Sequence, residues 1–175
     1  MDAVTEFNEQ YLGRDHDKLE NWCITGASKR GWTTWMVGSV DPRVNCLAPM
    51  VETFVGLNDI LHGHFQALGG WSFAFDDYYK EDLTQWLDSP EFAELGKHVD
   101  PLSYKQNLTM DKLIIQSAGD EFFLPSDTKY FIDKLPGNNF LRMLPNAEHE
   151  MILHGFSSPH LIWSKFLNTF SKSKK

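Results

Sequence analysis

Four short apolar runs limit what this chain can fold into: NWCIT at 21–25, VNCLAPMV at 44–51, KLIIQSAG at 112–119 and NNFLRMLPNA at 138–147. Each is too short for a helix. The first is apolar on successive rather than alternate positions, which suits a strand covered on both faces, the second reads as another buried strand, and the other two read as further strands. Between the first two, Trp32, Trp35 and Met36 fall at helical spacing, which predicts a helix over 29–39 with one buried stripe, followed by a turn at Asp41-Pro42-Arg43. Val4, Phe7 and Tyr11 predict a helix over 3–12 ended by Gly13. PSDTKYFIDKL, from 125, reads as a helix opened by proline and serine, and HLIWSKFLNTF, 160–170, as a closing helix. Strand alternating with helix predicts an α/β fold with a parallel sheet of about four strands and right-handed crossovers. Residues 52–110 break the alternation with helical patches, a Gly69-Gly70 break, many aromatics and no clear strand, so they are expected to form a helical insertion over the sheet.

At 175 residues the chain suits one domain with its own core. A formal charge of -8 argues against nucleic-acid or anionic-membrane surfaces, which need clustered Lys and Arg. The one basic run, SKSKK at 171–175, reads as a solvated tail. Cys23 and Cys46 are too few for a disulfide framework, and each sits in an apolar run, so they are expected to behave as small hydrophobes without a redox or metal role. The first thirteen residues carry three acidic side chains and no apolar core of a signal peptide, and no run of about 18 apolar residues could span a bilayer. Asn107-Leu108-Thr109 fits the N-glycosylation acceptor pattern, which counts only in a secreted protein.

The chemistry-bearing residues lie just after predicted strands, where open α/β sheets gather their reactive groups. Ser28 follows NWCIT through the small residues Gly26 and Ala27, and the Lys29 N-H opens the next helix, where an oxyanion would be stabilised. Asp120 follows KLIIQSAG, and His149 follows the fourth run within a few residues. Serine, acid and base in this chain order fit a hydroxyl nucleophile, its orienting carboxylate and its general base. Taken singly, Ser28 fits a helix N-cap, Asp120 a turn residue and His149 a surface histidine, with His154 as a competitor. Glu121 and Asp127 are rival acids; the first is expected to point away from its neighbour, the second to occupy the first turn of the next helix. His62-Gly63-His64 lacks the further ligands of a metal site, and no cofactor is expected. Trp71, Phe73 and Tyr78 are candidates to line a substrate groove, although clustered aromatics also arise from simple packing. Lys29 and Arg30 stand where a helix dipole disfavours cations and so could meet an acidic partner or ligand.

ITGASKRGWTTW, VDPRVNCLAPMV, GGWSFAFDDY, QSAGDEFFLPSDTKYF and LPNAEHE together resemble the PhoPQ-activated pathogenicity-related proteins, a family that includes the autocrine proliferation repressors. The resemblance covers most of the chain from Ala3 onward. It implies the C-terminal half of an α/β-hydrolase fold, with Ser28, Asp120 and His149 as nucleophile, acid and base. Members of the family are commonly exported or secreted, while the residues of this chain leave its compartment open. Two functions are expected as alternatives. One is a serine hydrolase acting on an ester or peptide bond of a small-molecule substrate, with residues 52–110 as a cap. The other is a non-catalytic, secreted growth-regulating module that keeps the fold and binds a receptor or other protein. Family members are longer, and the part without a counterpart here supplies strands beside NWCIT and a second oxyanion N-H. The chain is therefore expected to be a partial domain whose first strand has an unpaired edge. Arg30 replaces the small residue that generic elbows carry two positions after the serine, a replacement the resembling family shares.

Overall fold

The computed structural model describes residues 1–11 and 19–151, with 164–165 and 167–168. Gly13, His154 and the tail 171–175 lie outside the described residues, as does most of the expected closing helix, of which the four described positions are helical. α1 (Asp2–Tyr11) precedes β1 (Trp22–Ala27), α2 (Lys29–Val40) and β2 (Val44–Met50); β3 (Asp111–Ser117) and β4 (Asn139–Leu144) come after the insertion. The four strands form one parallel sheet, as the alternation of runs predicts, and the sheet has the order β1-β2-β3-β4.

Position in the sheet decides which runs are covered. β2 and β3 are central and almost wholly buried. β1 and β4 are edges, and Phe140 and Leu141 stay about half exposed, so coverage on both faces holds only for the central pair. On one face Trp35, Leu47, Ile114 and Phe131 share a core, with the Trp35 and Phe131 rings edge to face at 6.2 Å. Ala48, Val51, Ile115 and Leu144 cluster apart from it. Gly38 lets α2 settle onto β2, because a Cβ there would meet Leu47 Cδ2 at 2.7 Å.

Two expectations are corrected. The segment from 125 forms two 3₁₀ turns, Asp127–Tyr130 and Ile132–Lys134, instead of a continuous helix. The Asp127 carboxylate folds back to accept the Leu124 N-H at 2.9 Å, and the Asn139 side chain donates to the carbonyls of Ile132 and Leu135. The carbonyls of Ile132 and Leu135 are thus satisfied by a side chain rather than by a following helical turn. Cys23 and Cys46 form a disulfide. The parallel register sets Cys23 opposite Cys46 with a Cα separation of 4.6 Å, inside the range a disulfide needs. Neither local run reveals that pairing.

Residues 52–110 contain α3 (Leu57–Leu68), α4 (Asp76–Lys80), α5 (Pro90–Val99) and three 3₁₀ turns, with no strand. Asp100 ties this segment together: its carboxylate accepts the N-H groups of Gly56, Leu57 and Leu102, joining the start of α3 to the end of α5. Trp32 Nε1 donates to the Val99 carbonyl at 2.8 Å and so fastens α2 to the insertion. No helix among the described residues is long and apolar enough to cross a membrane.

Candidate active site

β1 ends at Ala27 and α2 begins at Lys29, so Ser28 alone makes the strand-to-helix turn. Its φ of 53° and ψ of -128° lie where side-chain-bearing residues rarely sit, at a cost of about 1–3 kcal/mol. The surroundings fix that conformation. The Ser28 N-H donates to the Met50 carbonyl at 3.0 Å, and the Ser28 carbonyl accepts from the Trp32 N-H at 3.1 Å. A Cβ on Gly26 would overlap the Arg30 carbonyl, and one on Gly31 would stand 2.6 Å from Glu52 Cβ. The first glycine lets the chain fold back over itself; the second lets α2 rest on the end of β2. Gly26 thereby makes room for the backbone of Arg30, whose side chain is exposed. Ser28 makes no side-chain cap bond to α2. Its Oγ lies 2.8 Å from His149 Nε2 instead.

His149 Nδ1 stands 3.1 and 3.0 Å from the two carboxylate oxygens of Asp120. An ionised carboxylate only accepts, so the ring proton belongs on Nδ1, which leaves the Nε2 lone pair of the neutral ring facing the Ser28 hydroxyl. Asp120 is buried and also accepts the N-H groups of Phe122 and Phe123 through Oδ1, at 2.8 and 3.0 Å. Burial opposes the charged imidazole, but the hydrogen bond and charge of Asp120, with Glu121 and Glu150 adding charge, outweigh it and raise the His149 pKa above its ordinary value. The rings of Phe122 and Phe123 pack 4.8 and 5.7 Å from the imidazole. Ser28, Asp120 and His149 are thus brought together across 121 residues of chain.

The other candidates separate. The Lys29 N-H, in the first turn of α2, has no backbone acceptor among the described residues. Glu121 does not point away: its Oε2 accepts the His149 backbone N-H at 3.1 Å and holds the histidine loop. Asp127 is buried, accepts from Thr53 Oγ1 and the Leu124 N-H, and burial pushes its carboxyl up to about 6. His62 pairs with Asp88, whereas His64 is buried between Trp71 and Phe75. Trp71 and Tyr78 line one cavity; Phe73, 80% exposed, lines a different hollow with Trp71 and Tyr79. Sequence reading passed over Glu52, which lies 1% exposed beneath Gly31, with Oε1 accepting the Phe54 N-H at 2.6 Å. Burial is the main reason its carboxyl is pushed up to about 8, and the charge of Asp120 adds to the shift. Its signal was an acid set in the apolar run after a strand.

A model of the family described as PhoPQ-activated pathogenicity-related protein matches residues 1–175. Autocrine proliferation repressor protein A of Dictyostelium discoideum is 42% identical over 156 residues, which are 88% of this chain and 31% of the relative. The chain thus spans under a third of that relative's length. Among solved structures, an acetyl xylan esterase from Paenibacillus sp. R4 aligns with a TM-score of 0.63 at 13% identity, over 95% of this chain and 51% of the esterase. The acylaminoacyl peptidase of Pyrococcus horikoshii aligns with a TM-score of 0.60 at 18% identity, over 96% of this chain and 26% of the peptidase. At these identities the likeness establishes the α/β-hydrolase fold and leaves activity open. The match along the whole length, together with the close curated relative, makes this chain a member of the PhoPQ-activated pathogenicity-related protein family.

Proposed function

We propose that this chain carries the catalytic residues of a serine hydrolase acting on an ester or peptide bond. The observation that carries the reading is the 2.8 Å approach of His149 Nε2 to the oxygen of a serine held at positive φ and free of any capping role. In this scheme His149 takes the Ser28 proton as Oγ attacks the substrate carbonyl, and Asp120 keeps the imidazole in the competent tautomer and stabilises its charge. The tetrahedral oxyanion forms beside the Lys29 N-H at the positive end of α2. His149 then returns the proton to the leaving group, and a water activated by the same ring releases the acyl group. Residues 52–110 act as the cap over the substrate.

The name of the Dictyostelium relative, a proliferation repressor, favours a second reading: a growth-regulating protein that binds a partner without performing chemistry. Turnover of p-nitrophenyl esters by the full-length protein separates the two. The hydrolase reading expects release of nitrophenolate that Ser28→Ala and His149→Ala each reduce at least about a thousandfold with the fold retained. A folded protein whose rate is unchanged by both substitutions contradicts it.

A further inference from the structure

A cavity of about 210 Å³ lies between α2, the segment after β2 and the insertion. Its wall includes Trp32, Phe54, Leu61, Trp71, Phe75 and Leu87, and no charged side chain lines it. The volume exceeds the roughly 150 Å³ in which an apolar protein cavity accommodates a benzene molecule. A hollow of this size, lined almost wholly by carbon, rewards an apolar occupant and penalises an ionised one.

Its position relates it to Ser28. Trp32 donates its N-H to the Ser28 carbonyl, so it stands about one helical turn from that residue, roughly 6 Å along the axis. Trp32 packs edge to face on Phe54 at 5.2 Å, Phe54 on Phe123 at 4.9 Å, and Phe123 against His149 at 5.7 Å. One continuous set of aromatic rings therefore forms both the near wall of the cavity and the packing behind the imidazole. The Trp32 indole is held by its bond to the Val99 carbonyl, so the wall is fixed at both ends.

We infer that the cavity receives an apolar chain or ring of the substrate, of about six to ten carbons, while the bond to be cleaved lies at Ser28. This rests on the hydrolase reading for the cleavage step and on the cavity alone for the binding step. Each methylene taken from water into such a site strengthens binding by about fourfold, so an octanoyl group should be favoured over an acetyl group by well over tenfold. The chain can belong to the acyl side or to the leaving group, and the two are distinguished by p-nitrophenyl octanoate against octyl acetate.

The test has a binding arm and a turnover arm on the full-length protein. In the binding arm the Ser28→Ala protein is titrated with octanoate, acetate and succinate, and the fluorescence of Trp32 and Trp71 reports occupancy. Octanoate should bind at least tenfold more tightly than either short acid, and Thr84→Trp, a partly exposed position on the rim, should weaken it by at least tenfold. Equal affinities, or an unchanged titration in Thr84→Trp, overturn the inference whether or not the protein is an enzyme. In the turnover arm kcat/KM should favour the eight-carbon ester more than tenfold, as p-nitrophenyl octanoate over p-nitrophenyl acetate or as octyl acetate over ethyl acetate, and that ratio should fall at least tenfold in Thr84→Trp. A protein that turns over p-nitrophenyl acetate at least as well as p-nitrophenyl octanoate, and ethyl acetate at least as well as octyl acetate, contradicts the inference and leaves the hydrolase reading intact. Octanoate binding without any turnover supports the cavity assignment and removes the hydrolase reading.

Discussion

At the scale of single residues, the geometry around Ser28 works through proton positions. Asp120 accepts from His149 and two backbone N-H groups, so its neutral isostere would present an amide where a carboxylate is required. Asp120→Asn is expected to lower kcat about ten-thousandfold with little change in KM, because the wrong tautomer of His149 would face Ser28. Turnover kinetics beside circular dichroism check this. Glu52 gives a different prediction. Its folded pKa of about 8 lies above its unfolded value near 4.5, so its contribution to stability is fully present below pH 4.5 and is lost as pH rises through 8. The wild type should therefore melt at a lower temperature at pH 9 than at pH 6. Glu52→Gln, which cannot ionise, should flatten that fall by about 1.4 kcal/mol per pH unit over the range in which only the unfolded chain has released its proton. Melting curves at the two pH values decide it; parallel falls in both proteins contradict the burial argument. That Ser28, Asp120 and His149 meet was legible in the sequence because each follows a strand. Glu121 was misjudged and Glu52 passed over, because burial and backbone partners depend on how distant loops meet.

Among the elements, the strands were the most legible and the segment from 125 the least. β2 and β3 declare themselves by unbroken apolar runs, and the α2 stripe of Trp32 and Trp35 by its spacing. The segment after Leu124 has helical composition, but the Asn139 side chain takes the carbonyls of Ile132 and Leu135, a pairing not visible along the chain. Lys112 hides similarly: it opens an apolar run yet is fully buried, with Nζ donating to the carbonyls of Met110 and Pro136. The disulfide between β1 and β2 is legible only once register is known. It ties an edge strand that leads into Ser28 to a central one. Replacing both Cys23 and Cys46 by Ala should lower unfolding stability by about 2–4 kcal/mol, read from urea melts. An unchanged midpoint would mean that neighbouring pairing alone holds β1.

Across the whole molecule, one end of a parallel sheet carries the serine, the acid and the histidine, and three different connections deliver them. The strand-to-helix turn presents Ser28, the loop after β3 presents Asp120, and the loop after β4 presents His149. A bond from the Gly119 N-H to the Ala147 carbonyl joins the last two loops. That economy explains why so much of the site could be read before any fold was known: residue order along the chain already encodes which strand ends meet. Size and shape of the substrate were not legible, because the cavity wall draws on α2, the loop after β2 and the insertion together. The central claim is that Ser28 is a nucleophile activated by His149. Incubation with a fluorophosphonate, followed by peptide mapping by mass spectrometry, tests it directly. The account predicts a single adduct on Ser28, absent from His149→Ala under the same conditions; a folded protein that stays unmodified, or is modified at another serine, would contradict it.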